Sequence, residues 1–257
     1  MEEFDKLVQI VADLREPENG CPWDKKQTHT SLVPNFIEEL YESIEAIEDG
    51  DMNDLQEELG DLMLHIVMQA RIAEEDGDFV MADVLQGINE KLVRRHPHIF
   101  GSDTVKDAEE VKMNWEQIKL KEKSHRKSAL EGVPKAMPKL IVAQRMQEKA
   151  AAVGFDWDNH DQVFEKLDEE VLELKEAIES GDQIHIAEEL GDLLFTAVNL
   201  SRKLGLDAET ALSGSNRKFE RRFRKVEEIY KTRKAVMHDS SLEQLDEVWE
   251  SVKDTEK

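Results

Sequence analysis

Apolar residues along this chain recur at spacings of three and four. Leu40, Ile44 and Ile47 form one stripe, and Leu55, Leu59, Leu62 and Ile66 form the next. Farther on, Val171, Leu174 and Ile178 precede Ile186, Leu190, Leu193 and Ala197. That period is helical, with one apolar face per element. Each pair of stripes is interrupted by a short turn sequence, EDGD at 48–51 and ESGD at 179–182. The glycine can take positive φ at a helix end, and the Asp after it can cap the following helix. The pattern predicts a helical hairpin around Gly50 and another around Gly181.

The two hairpins are copies. The string EELGDL occurs at 57–62 and again at 188–193, and an offset of 131 aligns residues 38–61 with 169–192 at 14 of 24 identical positions. The match runs outward with small shifts. GCPWD (20–24) meets GFDWD (154–158), NEKLVRR (89–95) meets NRKFERR (216–222), and WEQIK (115–119) meets WESVK (249–253). A unit this long is not a solenoid repeat, so the chain reads as two tandem homologous helical-bundle domains. The expected boundaries are 1–123 for the first repeat, 124–137 for a linker and 138–257 for the second. The segment SHRKSALEGVPKAMPKL (124–140) carries a Gly, two prolines and no apolar period.

Counting from each turn brings acids together. Glu42 and Glu58 lie eight residues either side of Gly50, and Glu39 and Asp61 lie eleven either side. Glu173 and Glu189 flank Gly181 by eight, and Glu170 and Asp192 by eleven. Eight residues is roughly 12 Å of helix, so equal counts set paired residues at one height in an antiparallel hairpin. Residues three apart share a helix face. Each repeat can therefore gather four carboxylates between two helices, where they repel unless protons or cations intervene. An all-oxygen set suits a hard cation, Mg²⁺ or alternatively Mn²⁺. A single acidic pair in so acidic a chain means little. The same four places kept in two diverged copies point to metal. Gly60 and Gly191, inside the second helix of each hairpin, leave room for close packing or for a ligand.

Composition narrows the function. Acids outnumber Lys and Arg 58 to 34, for a net charge of −24. That field repels a nucleic-acid backbone, so no nucleic-acid partner is expected. No apolar run is long enough for a membrane span, and the acidic, amphipathic MEEFDKLVQIVADL is no signal peptide. With a single cysteine, Cys21, the chain forms no internal disulfide, and a cytoplasmic location is expected. Within this acidic background NRKFERR is an exception. Lys218 and Arg222 are four apart and point the same way, as a phosphate-binding pair would, or as cations that pair with nearby acids. Trp249, in WESVK, reads as a core aromatic or as a stacking platform for a base, and Trp23 and Trp157 as structural anchors. There is no Walker A sequence, GxGxxG or GxSxG. The chemistry that remains is metal-assisted hydrolysis of a phosphate ester or anhydride.

The combination of EExxE followed by ExxD with GCPWD, RRHPHIF, GFDW and KFERR closely resembles the MazG nucleoside triphosphate pyrophosphohydrolases in their two-repeat form, over nearly the whole chain. The resemblance implies an all-α bundle, usually an intertwined homodimer. It implies hydrolysis of NTPs and dNTPs to NMP and pyrophosphate with Mg²⁺, in a nucleotide-pool cleaning role. Glu170, Glu173, Glu189 and Asp192 would be catalytic metal ligands, with Lys166, Glu169, Lys218, Arg222 and Trp249 binding the nucleotide. Glu39, Glu42, Glu58 and Asp61 would form a second metal site. The resemblance implies catalysis in the second repeat, and one difference agrees: Pro34 and Asn35 replace Glu165 and Lys166 in the first. His185 departs from the Lys the family pattern would place there. The alternatives are a non-catalytic helical scaffold or regulatory protein, and a hydrolase narrow for dUTP, dCTP or a guanosine alarmone.

Overall fold

The computed structural model describes residues 2–122 and 127–256. Two compact units emerge, Met1–Lys106 and Asp107–Lys257. The sequence repeat draws its line later and places 107–123, with WEQIK, in the first copy. Ser124, His125 and Arg126 of the expected linker lie outside the described residues. Every regular element among the described residues is helical, and no helix there is long and apolar enough to cross a membrane.

The first unit holds α1 (Glu2–Leu14), α2 (Val33–Asp49), α3 (Met52–Asp76), α4 (Met81–Arg95) and the short α5 (Pro97–Phe100). The α2–α3 hairpin forms where the turn chemistry put it. Gly50 has φ 73°, and Asp51 accepts hydrogen bonds from the backbone N–H of Asn53 at 2.9 Å and Asp54 at 3.2 Å. Apolar residues of α1 and α3 close the core around Val11, Val67, Met68 and Ile72, with Leu32 from the loop before α2.

The second unit holds α6 (Ala108–Glu122), α7 (Lys139–Ala151), α8 (His160–Ser180), α9 (Gln183–Lys203), α10 (Ala208–Arg233) and α11 (Leu242–Asp254). The α8–α9 hairpin repeats the device. Gly181 has φ 74°, and Asp182 accepts from Ile184 N at 2.9 Å. Its tightest apolar cluster joins α10 to α11 through Val226, Tyr230, Val248 and Val252.

The apolar stripes that identified the hairpins do not all turn inward. Leu40, Ile44, Ile47 and Leu59 are exposed, as are Ile178 and Leu190. The buried residues of α2 are the small Ser43 and Ala46. The period found the helices, but within a single chain much of the apolar face is left uncovered. The motif tryptophans behave similarly. Trp23 and Trp157 remain exposed, and arginines hold their loops. Arg15 is buried and bridges Glu75 on α3 (Nη2–Oε2 2.7 Å) to the carbonyl of Asp24. Asp156 binds Arg202 and Lys203 at the end of α9.

Candidate active site

Two acid clusters stand where the hairpin arms face each other. In the second unit Glu170, Glu173 and Glu189 each offer an oxygen, and the three lie within 4.8 Å of one another. Glu170 is buried, and Glu173 and Glu189 are half-buried. In the first unit Glu39, Glu58 and Asp61 meet the same limit, all half-buried. Each hairpin thus draws three of its four expected carboxylates together. Glu42 and Asp192 are exposed and stand outside those triplets. Glu57 and Glu188, the other acids of EELGDL, are exposed as well.

The clusters balance their charge differently. In the second, the Lys166 ammonium lies among the acids, 2.7 Å from Glu169 Oε1, 2.8 Å from Glu170 Oε1 and 3.8 Å from Glu173 Oε2. Glu169 and Glu170 hold Lys166 protonated well above the ordinary lysine range. His185 adds Nδ1 at 3.3 Å from Glu189 Oε1. In the first unit the aligned residue is Asn35. There burial and the negative charge of Asp61 push the Glu39 carboxyl up to about 7, aided by its hydrogen bond with Glu58. Glu58 is raised too, by burial first and by Glu42 next. In one cluster the acids are offset by an ammonium, and in the other the Glu39 carboxyl is pushed toward its neutral form; both responses are those of crowded carboxylates. Facing all-oxygen donors on two rigid helices fit a hard divalent cation, which Glu170, Glu173 and Glu189 can reach jointly.

Gly60 and Gly191 have open space where a Cβ would stand, with no atom within 4 Å. Packing inside the unit does not require them. His65 is buried beside Phe36, the ring centroids 5.6 Å apart, and burial lowers its pKa. It belongs to the interior rather than to the acid triplet.

The remaining expected residues lie on α10 and α11. Lys218 is exposed. Arg222 donates through Nε to Glu256 Oε2 at 2.7 Å. Trp249 is half-buried against the α10–α11 cluster, and its other neighbour is the exposed Phe219, ring centroids 5.3 Å apart. Sequence reasoning missed Glu256 and Lys225, which lies 3.1 Å from Glu256 Oε1. No local signal announces a contact across 31 residues.

A helical protein that carries a facing-carboxylate hairpin in each of two repeats presents all-oxygen donor sets of the kind that metal-assisted phosphate hydrolysis uses. The family model described as MazG nucleotide pyrophosphohydrolase domain matches the chain twice, at residues 27–100 and 158–227. The chain is 45% identical over 259 residues to a nucleoside triphosphate pyrophosphohydrolase of Escherichia coli K12, with 98% of each chain covered. It is 47% identical over 251 residues to the nucleoside triphosphate pyrophosphohydrolase/pyrophosphatase MazG of Thermotoga maritima, covering 97% of this chain and 95% of that one. The chain belongs to the MazG nucleotide pyrophosphohydrolase family, and both hairpins fall inside the matched segments.

Proposed function

We propose that this chain hydrolyses nucleoside triphosphates, NTPs and dNTPs, to the nucleoside monophosphate and pyrophosphate, and that the second repeat carries the reaction. The convergence of Glu170, Glu173 and Glu189, with the Lys166 ammonium against Glu170 and Glu173, carries this reading. The named activity of two relatives aligned over nearly their whole length supports it. The repeat boundaries fit two evolutionary units, 1–123 and 138–257, joined by 124–137.

Glu170, Glu173, Glu189 and Asp192 would hold Mg²⁺, with Mn²⁺ as a substitute. When bound, the cation offsets phosphate charge and polarises water at the site. The chain's own groups do the rest. Lys166 leaves the acids for a phosphate oxygen, and Lys218 and Arg222 hold the polyphosphate. Glu169 borders the nucleotide, and Trp249 with Phe219 lies beside the base. One glutamate takes a proton from water as its oxygen bonds the α-phosphorus. The bond from that phosphorus to the bridging oxygen then breaks, and pyrophosphate leaves with its charge met by the cations. Glu39, Glu42, Glu58 and Asp61 would bind a cation in the first repeat without Lys166's counterpart.

The exposed apolar faces support a homodimer. Leu172, Leu194 and Ile178 are each more than half exposed on the α8–α9 hairpin, and isolated apolar stripes of that kind need cover. Clearing of the nucleotide pool in the cytoplasm, without nucleic acid or membrane, is the role this activity would serve.

The test is release of pyrophosphate from a panel of NTPs and dNTPs with Mg²⁺, for wild type and Glu189→Ala. Turnover across the panel that vanishes in the variant is expected. Equal turnover in both sinks the assignment. Activity on dUTP, dCTP or an alarmone alone would make the enzyme a narrow one, and no turnover at all would leave a scaffold.

A further inference from the structure

Six cations lie between residues 217 and 225 of α10, and four of them are spaced to share a face. Lys218 and Arg222 are four apart, Arg222 and Lys225 three apart, and Arg221 and Lys225 four apart, so they form one basic strip. In a chain of net charge −24 such a strip is unusual, and three of its members converge on one carboxylate. Arg221 donates through Nε to Glu256 Oε1 at 3.1 Å and through Nη2 to Oε2 at 3.4 Å. Arg222 donates through Nε to Oε2 at 2.7 Å, and Lys225 donates to Oε1 at 3.1 Å. The Glu256 side chain is 14% exposed and that of Arg222 20%. Glu256 stands two residues beyond the end of α11, so the carboxylate has been brought in from outside a regular element.

A carboxylate held by two guanidinium groups and an ammonium presents anionic oxygens to charged N–H donors. A phosphate presents the same acceptors, in greater number and with more charge. We propose that Arg221, Arg222 and Lys225 form an anion site that Glu256 fills in the nucleotide-free chain and that a phosphate of the nucleotide takes over. Glu256 is then a built-in competitor of the polyphosphate, and its release frees Arg222. The inference rests on the reading of Lys218 and Arg222 as phosphate ligands, and adds to it Arg221, Lys225 and the gate. It also accounts for Arg221, Arg222 and Lys225 being engaged by a carboxylate where a ligand was expected. The alternative is a staple between α10 and the segment after α11, with no role in binding.

Titration calorimetry with inorganic triphosphate, and KM for a turned-over NTP, separate the two on the full-length chain. Glu256→Gln removes the charge and keeps the size. Competition predicts that Glu256→Gln binds triphosphate about five- to tenfold more tightly, with a KM lowered to match, a coupling of ordinary size between two ligands. Glu256→Asp, with a carboxylate one methylene shorter, should fall between Glu256→Gln and wild type. Melting curves report whether each variant is folded. A staple alone predicts a lower melting temperature with unchanged affinity and KM, and that result overturns the gate. Arg222→Gln tests the underlying reading. If it binds triphosphate as wild type does, both the phosphate assignment and the gate fail. If it binds more weakly while Glu256→Gln shows no gain, the gate alone fails.

Discussion

The Lys166 ammonium lies 2.8 Å from the Glu170 carboxylate, within the acid cluster that a divalent cation would share. The two cations compete for the same oxygens. Replacing Lys166 with Met should therefore raise the affinity of the nucleotide-free protein for Mn²⁺ by roughly tenfold, about the worth of one charge-assisted hydrogen bond. The same variant should raise KM for the nucleotide, because a phosphate contact is gone. Calorimetric titration with Mn²⁺ and steady-state kinetics read the two effects separately. Weaker Mn²⁺ binding in the variant would mean that Lys166 organises the acids rather than standing in for the metal.

The two repeats are expected to differ in activity. Glu189 shares its cluster with Lys166, whereas Glu58 belongs to a hairpin that has Asn35 at the aligned position. Glu189→Gln should lower kcat by at least about 100-fold, equivalent to roughly 2.7 kcal/mol of transition-state stabilisation. Glu58→Gln should leave kcat within about twofold and instead reduce the protein's thermal response to Mg²⁺. Matching losses of kcat in both variants would show that both hairpins catalyse or that the two are interdependent.

The homodimer we propose would cover apolar surface that one chain leaves open. Leu172 and Leu194 are 58% and 53% exposed on α8 and α9. Neither belongs to the acid triplet. Sedimentation velocity at micromolar concentration should give a dimer for wild type. The double variant Leu172→Lys, Leu194→Lys should shift it toward monomer while far-ultraviolet circular dichroism stays helical. A wild-type chain that sediments as a monomer would remove the premise.

Local rules made the hairpins legible. Gly50 and Gly181 needed positive φ, Asp51 and Asp182 needed free N–H groups to cap, and the equal counts then set Glu58 level with Glu42 and Glu189 level with Glu173. The fourth acid of each set was less certain because helical phase moves about 100° per residue, so equal height does not guarantee convergence. Asp192 and Glu42 are the residues where the count stops short. The burial side of the stripes was not legible either. Period reports that a face is apolar, not whether its cover comes from the same chain, and Leu40, Ile44 and Leu190 are left open. Pairings across long separations carried no local signal at all. Arg15 finds Glu75 across 60 residues, and Arg222 finds Glu256 across 34. Such contacts are decided by the packing of whole helices.

Arg15 also sets a prediction for acid stability. Its guanidinium donates to both Glu75 oxygens through Nε, at 3.1 and 3.2 Å, and Arg71 adds a contact at 3.0 Å. Hydrogen bonding to Arg15 first, and to Arg71, holds the Glu75 carboxyl below the usual carboxylate range. A carboxylate depressed in the folded state stabilises the fold above its unfolded pKa, about 4.3, and that contribution is lost as pH falls through the folded value. Glu75→Gln should therefore destabilise the protein at pH 7 by about 1–3 kcal/mol, the range for a hydrogen bond to a charged group less some solvent screening. The gap between variant and wild type should narrow progressively below about pH 4, because wild type then loses the same interaction by protonation. Urea melts at pH 7, 5 and 3 measure both. A gap that stays constant across the three would assign the loss to packing around Arg15 rather than to the charge on Glu75.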